Sequence, residues 1–258
     1  MLFGGEPVSA FELRGDAFPW EIDSNERALI GDAGPQRTWS FVAGRLCAHA
    51  ALRALGIPGK SLLRGSHGQP QWPEGLVGSI SHTENYAIAA VARGGSSQCI
   101  SVGIDAEPIR ILTDEVAEII MTPAELRRVE GFPSPRRPLV QTIMFCAKEA
   151  LYKAQFALTG RWLDFESIEL RVEEHPGVGQ AIGSHGICEL MDGSAVLKLP
   201  DASDVPLSAR GIRIRYVVRR PERSRDGLVV ASALIGAEGD RDLTRGSEVA
   251  QQDARRRR

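Results

Sequence analysis

Apolar residues recur at helical spacing between Arg37 and Leu55. Phe41, Ala48, Leu52 and Leu55 step by seven, four and three positions and so form one stripe. Gly56 and Pro58 follow in the order that ends a helix. Next comes a loop from Gly65 to Gly78, broken by Gly68, Pro70, Pro73 and Gly75, with Trp72 between the prolines. Three short runs then read as strands, at 76–81, 86–92 and 100–107; GGSSQ at 94–98 is a turn between the last two. Thr122-Pro123-Ala124-Glu125 predicts a capping box with proline at the first helical position, opening a short helix that ends near Gly131. Beyond the loop at 132–138, a second strong helix is predicted from about Leu139 to Leu158. Strand-like runs follow Gly160, at 165–172, 195–199, 211–218 and 228–235. Residues 1–36 read as mixed and rich in turns, and 237–258 as a polar, disordered tail ending in Arg255 to Arg258.

The order is helix, strands, helix, helix, strands, which predicts an α+β fold rather than alternating βαβ units. One long helix with a few strands in each half suits two similar lobes, expected at 1–103 and 104–236. No repeat of fixed period is visible.

Composition narrows the classes. The chain has 258 residues, 43% hydrophobic and 25% charged, which is a globular balance and excludes a disordered protein. No apolar run approaches the ~20 residues of a membrane span, so no membrane role is expected. The opening MLFGGEPVSA lacks a basic stretch followed by an apolar one, so no secretory signal is expected and the protein is placed in the cytoplasm. Lys and Arg number 31 against 33 Asp and Glu, a net charge of −2, which is not the footprint of a nucleic-acid binder. Only four of the basic residues are lysines, and two of these, Lys148 and Lys153, fall five apart in one segment. Cys47, Cys99, Cys146 and Cys188 form no CxxC pair or zinc spacing and read as buried reduced thiols.

Four local patterns carry chemistry. In Val102-Gly103-Ile104-Asp105-Ala106-Glu107, residues two apart share a strand face, so Asp105 and Glu107 set two carboxylates side by side. Either one pKa rises or a cation sits between them; the same pattern describes an exposed strand end with two solvated acids. In FCAKEALYK, Glu149 and Lys153 are i and i+4 on one helix face, which also describes an ordinary surface ion pair. Gly78-Ser79-Ile80-Ser81-His82 delivers a hydroxyl and an imidazole at a strand end, groups suited to phosphate oxygens or to capping a turn. No GxSxG elbow is present, which argues against a serine hydrolase. Arg37, Arg45, His49 and Arg53 give the first helix a basic face, either a phosphate clamp or a solvated surface.

Together these segments, FVAGRLCAHAALRALG, GQPQWPEGLVGSISH, VGIDAEP and FCAKEALYKAQF, resemble the 4′-phosphopantetheinyl transferase superfamily over about Arg37 to Phe165. The likeness is to the longer, two-lobed branch of surfactin-type and enterobactin-synthetase-component-D-like enzymes. FCAKEALYKAQFALTGRWLDFE looks especially like its actinobacterial members. The resemblance implies two pseudo-symmetric α+β lobes with a coenzyme A cleft between them. It implies transfer of the 4′-phosphopantetheine arm from coenzyme A to a serine of an apo acyl or peptidyl carrier protein, with 3′,5′-ADP as the other product, by a monomer. Asp105, Glu107 and Glu149 match the family's metal carboxylates, for Mg²⁺ or Mn²⁺. Lys148 and Lys153 match its pyrophosphate and catalytic lysines, with Glu149 as the base. His82 matches the phosphate-contacting histidine, with Ser81 beside it. Arg45 matches the arginine near the 3′-phosphate, and Gly68 to Pro73 the loop near the adenine; Arg37 and Arg64 join this nucleotide-binding set. Two positions depart from the pattern: His49 stands where family members often carry Arg, and Gln69 where some carry Lys. A non-catalytic module that binds coenzyme A or carrier proteins is the rival expectation.

Overall fold

A computed structural model describes residues 2–3, 7–15, 21–57, 59, 61–95, 99–172, 180–183, 186–197, 211–220 and 227–236; for 180–197 it describes the backbone alone. The expected tail at 237–258 lies outside these residues. The first lobe contains β1 (Val8–Arg14), a short α1 (Ser24–Ala28), α2 (Pro35–Ala54), β2 (Leu76–His82) and β3 (Tyr86–Arg93). The second contains β4 (Ser101–Pro108), α3 (Asp114–Ile120), α4 (Pro123–Glu130), α5 (Arg137–Thr159), β5 (Ile168–Val172), β6 (Gln180–Gly183), β7 (Gly186–Leu197), β8 (Ile212–Arg220) and β9 (Leu228–Ile235). The first sheet is antiparallel in the order β1-β3-β2, and the second has the order β4-β9-β8-β7-β5, with β6 paired to β7. Each lobe packs one long helix on its sheet, the α+β arrangement predicted.

The helix boundaries have local causes. Pro35 starts α2 behind Gly34, where its missing N–H costs nothing. Gly160 ends α5 in the left-handed region at φ 62, its N–H donating to Phe156 O. The predicted capping box is present at α4: Glu125 N donates to Thr122 Oγ1, and Thr122 N donates to Glu125 Oε2.

Among the described residues, strand alternation gives three apolar clusters. Ala87, Ala89 and Val91 of β3 face α2, whereas Tyr86, Ile88, Ala90 and Ala92 face the other way, onto β4 and β9. Val102, Ile104 and Ala106 of β4 meet them, so the two lobes share an apolar interface. The alternate residues of β9, Val229, Ala231, Ala233 and Ile235, pack beneath α5. An ion pair also crosses the lobes: Glu12 of β1 accepts from Arg219 of β8, and from the Tyr86 hydroxyl at 2.7 Å.

Three expectations need adjusting. Residues 1–36 hold a strand, β1, and the short α1. The helix α3 precedes the predicted capping box, its N-cap Thr113 accepting from Val116 N. The run expected at 195–199 is the end of a longer strand, β7. Separately, β4 pairs with β9 along its whole length from Ser101 to Pro108, on both sides of the expected lobe boundary at 103/104.

Candidate active site

With Val102, Ile104 and Ala106 committed to the interface between lobes, the other face of β4 meets α5. Ser101 Oγ donates to Ala154 O at 2.8 Å. Gly103 lies so close that a Cβ there would stand 1.8 Å from Ala150 O. Helix and strand are therefore in backbone contact beside Asp105. Asp105 is buried, and Lys153 Nζ donates to its Oδ1 at 2.7 Å and to Ile104 O at 3.2 Å. Glu149 stands one helical turn from Lys153, and Glu107 two strand positions from Asp105. The carboxylate pair of β4 and the Glu–Lys pair of α5, each ambiguous in sequence, thus form one cluster at the lobe junction.

The charges are out of balance. Burial, followed by the charge of Asp105, pushes Glu107 up to about 7 against the opposing pull of Arg110 and Lys153. Burial also raises Glu149; Lys153 opposes the shift and Asp105 adds to it. Burial alone would lower Lys153, but the charge and hydrogen bond of Asp105 and the charge of Glu149 outweigh it, so its ammonium is held above the usual lysine range. Burial and the charge of Lys153 lower His82, which stands at the end of β2. Among the described residues Asp105 Oδ2 is buried without a hydrogen-bond partner.

This donor set suits a hard divalent cation. The oxygens it offers are all carboxylate, one of them is a buried atom without a partner among the described residues, and two of the three carboxyls are held above their ordinary range by burial and by the charge of Asp105. Among the described residues, no three His, Cys, Asp or Glu side chains already form a group able to hold a metal. Magnesium is commonly held by carboxylates together with substrate phosphates and waters rather than by an all-protein cage.

Two cavities flank the cluster. One, of about 380 Å³, is lined by His67, Gly68 and Pro70 of the first lobe and by Tyr152, Lys153 and Phe156 of the second. The other, of about 490 Å³, is lined by Glu149, Tyr152, Trp162, Asp164 and Phe165. Tyr152 and Trp162 border both and meet edge to face at 5.2 Å. The loop carrying Gly68 is a tight turn, with Gly68 at φ +83 and Gly65 N donating to Gln69 O. Gln69 is used inside that turn: its Oε1 accepts from His67 N, and the side chain lies over Gly65. His67 in turn reaches across to Phe156, ring centroids 5.5 Å apart.

The arginines gather around one ring. Arg37, Phe41 and Arg45 share a face of α2, four residues apart. Arg45 and Arg64 both stack on Phe41, at 4.6 and 5.0 Å from its centroid. Arg45 is buried beside Glu26, with its Nε lacking a hydrogen-bond partner; burial lowers its pKa against the pull of Glu26. His49 Nε2 lies 2.9 Å from both oxygens of the same Glu26, so the departing histidine turns towards a buried carboxylate. Arg37 lies exposed on the first turn of α2.

Two expected ligands face elsewhere. Lys148 is fully buried, and its ammonium uses all three donors, to Glu125 Oε2 at 2.7 Å and to Ile120 O and Phe165 O at 2.9 Å each. No N–H remains for a pyrophosphate, so Lys148 is a structural strut joining α3, α4 and α5. Ser81 is buried, its hydroxyl engaged with Asp105 Oδ1 and Ala106 N rather than open to phosphate. Sequence reasoning gave no part at the site to Trp162, Phe165 or Glu26, and read Glu125 only as a helix cap. The aromatic residues of FALTGRWLDF were a signal for the first two; the buried carboxylates gave none.

Two stretches of the chain match known family models. Residues 25–92 match the 4′-phosphopantetheinyl transferase N-terminal domain, and residues 101–188 match the 4′-phosphopantetheinyl transferase superfamily. The chain is 42% identical over 154 residues to 4′-phosphopantetheinyl transferase Svp of Streptomyces mobaraensis, covering 59% of this chain and 61% of that protein. It is 43% identical over 148 residues to PptT of Mycobacterium tuberculosis, covering 57% and 64%. It is 38% identical over 152 residues to Npt of Nocardia iowensis, covering 59% and 67%. The matched stretch is thus about two thirds or less of each relative's own length. With both domain types in the family's order, and the carboxylate and lysine cluster where they meet, the chain belongs to the 4′-phosphopantetheinyl transferase superfamily.

Proposed function

We propose that this protein moves the 4′-phosphopantetheine group of coenzyme A onto a serine hydroxyl of an apo carrier protein, releasing 3′,5′-ADP. The supporting observation is the cluster of Asp105, Glu107, Glu149 and Lys153 at the lobe junction, between a cavity bordered by both lobes and a second one bordered by Glu149. The nucleotide end would lie towards His67, Gly68 and Pro70, with Arg45, Arg64 and Arg37 supplying positive charge. Asp105, Glu107 and Glu149 would hold Mg²⁺. When bound, that ion would polarise the phosphoryl group and offset the charge that develops on it.

The residues of the chain carry the remaining work. A serine hydroxyl needs a base at neutral pH. Glu149, raised by burial, is the acceptor for its proton. The serine oxygen then bonds to phosphorus as the bond to the leaving 3′,5′-ADP phosphate breaks. Lys153 serves this step as a fixed positive charge, because an ammonium held above its usual range is a poor proton donor. His82, an exposed residue whose pKa is lowered by desolvation and by the charge of Lys153, is a hydrogen-bonding group for phosphate oxygens. A cytoplasmic monomer fits this reading: the described cysteines Cys47, Cys99 and Cys146 are buried free thiols, and one chain supplies both lobes.

The test is intact-protein mass spectrometry of apo carrier proteins incubated with this protein, coenzyme A and Mg²⁺. A mass gain of one phosphopantetheine, absent with EDTA, is the expected result. Coenzyme A binding without modification of peptidyl, polyketide or fatty-acid carriers would overturn it in favour of a non-catalytic binding module.

A further inference from the structure

The two sheets meet at their edge strands, β2 and β4, and the joint is made by side chains. Ser79 Oγ accepts from Ile104 N at 3.1 Å. Two positions on, Ser81 Oγ accepts from Ala106 N at 3.2 Å and donates to Asp105 Oδ1 at 2.8 Å. Both serines are about 5% exposed. The two hydroxyls thus perform the same bridging task, but only that of Ser81 reaches a carboxylate.

The direction of the Ser81 bonds follows from its neighbours. A backbone N–H can only donate, so the serine oxygen accepts from Ala106. Its own proton is then directed at Asp105. Asp105 Oδ1 therefore takes two donors from opposite sides, the Ser81 hydroxyl of β2 and the Lys153 ammonium of α5. The last torsion of an aspartate is soft, with a broad, roughly two-fold profile. A carboxylate held by Lys153 alone could turn and present both oxygens to the ammonium. Held from two sides at one oxygen, it keeps Oδ2 apart, and Oδ2 is the buried atom that has no partner among the described residues.

We propose that Ser81 is a positioning residue of the transferase site: by pinning Asp105 Oδ1 across the lobe boundary, it keeps Oδ2 available as a ligand for a divalent cation. This rests on the transferase reading above. It gives Ser81 a different part from that of a phosphate ligand, and makes cation affinity depend on the joint between the lobes.

The experiment compares wild type, Ser81→Ala, Ser81→Thr and Ser79→Ala as full chains. Mn²⁺ affinity is measured by electron paramagnetic resonance, coenzyme A affinity by calorimetry without metal, kcat and KM by carrier modification, and Tm by calorimetric scanning. Groups that orient a metal ligand typically contribute about 10- to 100-fold to metal affinity. Ser81→Ala is expected to weaken Mn²⁺ by that factor and to lower kcat at limiting metal, leaving metal-free coenzyme A affinity unchanged. Ser81→Thr, which keeps the hydroxyl on a strand-favouring residue, is expected to restore Mn²⁺ affinity. Ser79→Ala is expected to lower Tm while keeping wild-type Mn²⁺ affinity. Wild-type Mn²⁺ affinity in Ser81→Ala overturns the inference alone. So does a loss confined to coenzyme A binding, which would make Ser81 a phosphate ligand, and so does an equal loss of Mn²⁺ in Ser79→Ala, which would make the joint merely structural. A wild-type chain that neither binds Mn²⁺ nor modifies a carrier overturns the transferase reading itself.

Discussion

Lys148 and Lys153 share a helix, a residue type and a motif, yet they do different things. Five residues are about 140° of helical rotation, so the two side chains leave α5 on different faces. Lys153 stays with Glu149, one turn away, and meets Asp105. Lys148 turns into the second lobe, where Glu125 completes both its own capping box and the lysine's ion pair. Lys148→Met would leave Glu125 buried without its counter-charge, and is expected to cost about 3–5 kcal/mol in denaturant unfolding. Adding Glu125→Gln should recover part of that loss. Coenzyme A affinity of the folded fraction should stay the same, whereas loss of a pyrophosphate ligand would lower it. Glu149→Gln should do the reverse. Its charge is disfavoured by burial, so neutralising it is expected to leave Tm unchanged or higher, while kcat falls by about 10²- to 10⁴-fold in the carrier-modification assay. The helical period was readable in the sequence and separates these lysines; what was not readable was Glu125, a cap residue whose second partner is set only by tertiary packing.

At the scale of the elements, the site depends on how close α5 comes to β4. Gly103 permits that approach, with Ala231 and Ala233 of β9 alongside beneath the same helix. A methyl group at position 103 would collide with the helix backbone at Ala150 O, which cannot rotate away as a side chain can. Gly103→Ala is expected to lose about 3 kcal/mol and, by displacing α5 from Asp105, to reduce transfer as well. Gly44→Ala, whose Cβ would meet only the Ile80 methyl at 2.8 Å, should lose less stability. Thermal unfolding and carrier modification measured on both variants check the contrast. The strands and long helices of this assembly were legible because β2, β3, β4 and α5 are apolar on buried faces. β1 was not, since Phe11 is 43% exposed and Glu12 and Arg14 also line its surface, leaving little alternation to read. The seven-residue α3 was too short to show a period.

Across the whole molecule, the lobe junction is a store of unfavourable charge that also serves as the proposed cation site. Glu107 ionises at about 7 in the folded chain, against 4.5 for an ordinary glutamate. The folded state therefore binds this proton more tightly than the unfolded chain. The stability tied to it is fully present below about 4.5 and is lost as pH rises through about 7. In metal-free protein, Glu107→Gln is expected to flatten the fall of Tm over that window, and Mg²⁺ is expected to raise wild-type Tm most at its upper end. Differential scanning calorimetry with EDTA or Mg²⁺ reads both. The two-lobed plan itself followed from the order of elements, but its junction did not, because serines two apart on a strand look the same whether they face solvent or another sheet. That junction has a consequence for self-association. An open edge strand is a row of unsatisfied donors and acceptors that can template the strand of another molecule. Here β2 and β4 are each the last strand of a sheet, and the Ser79 and Ser81 hydroxyls take up the N–H groups of Ile104 and Ala106. Each lobe thus guards the other's edge, and separating the lobes would expose two aggregation-prone strands at once.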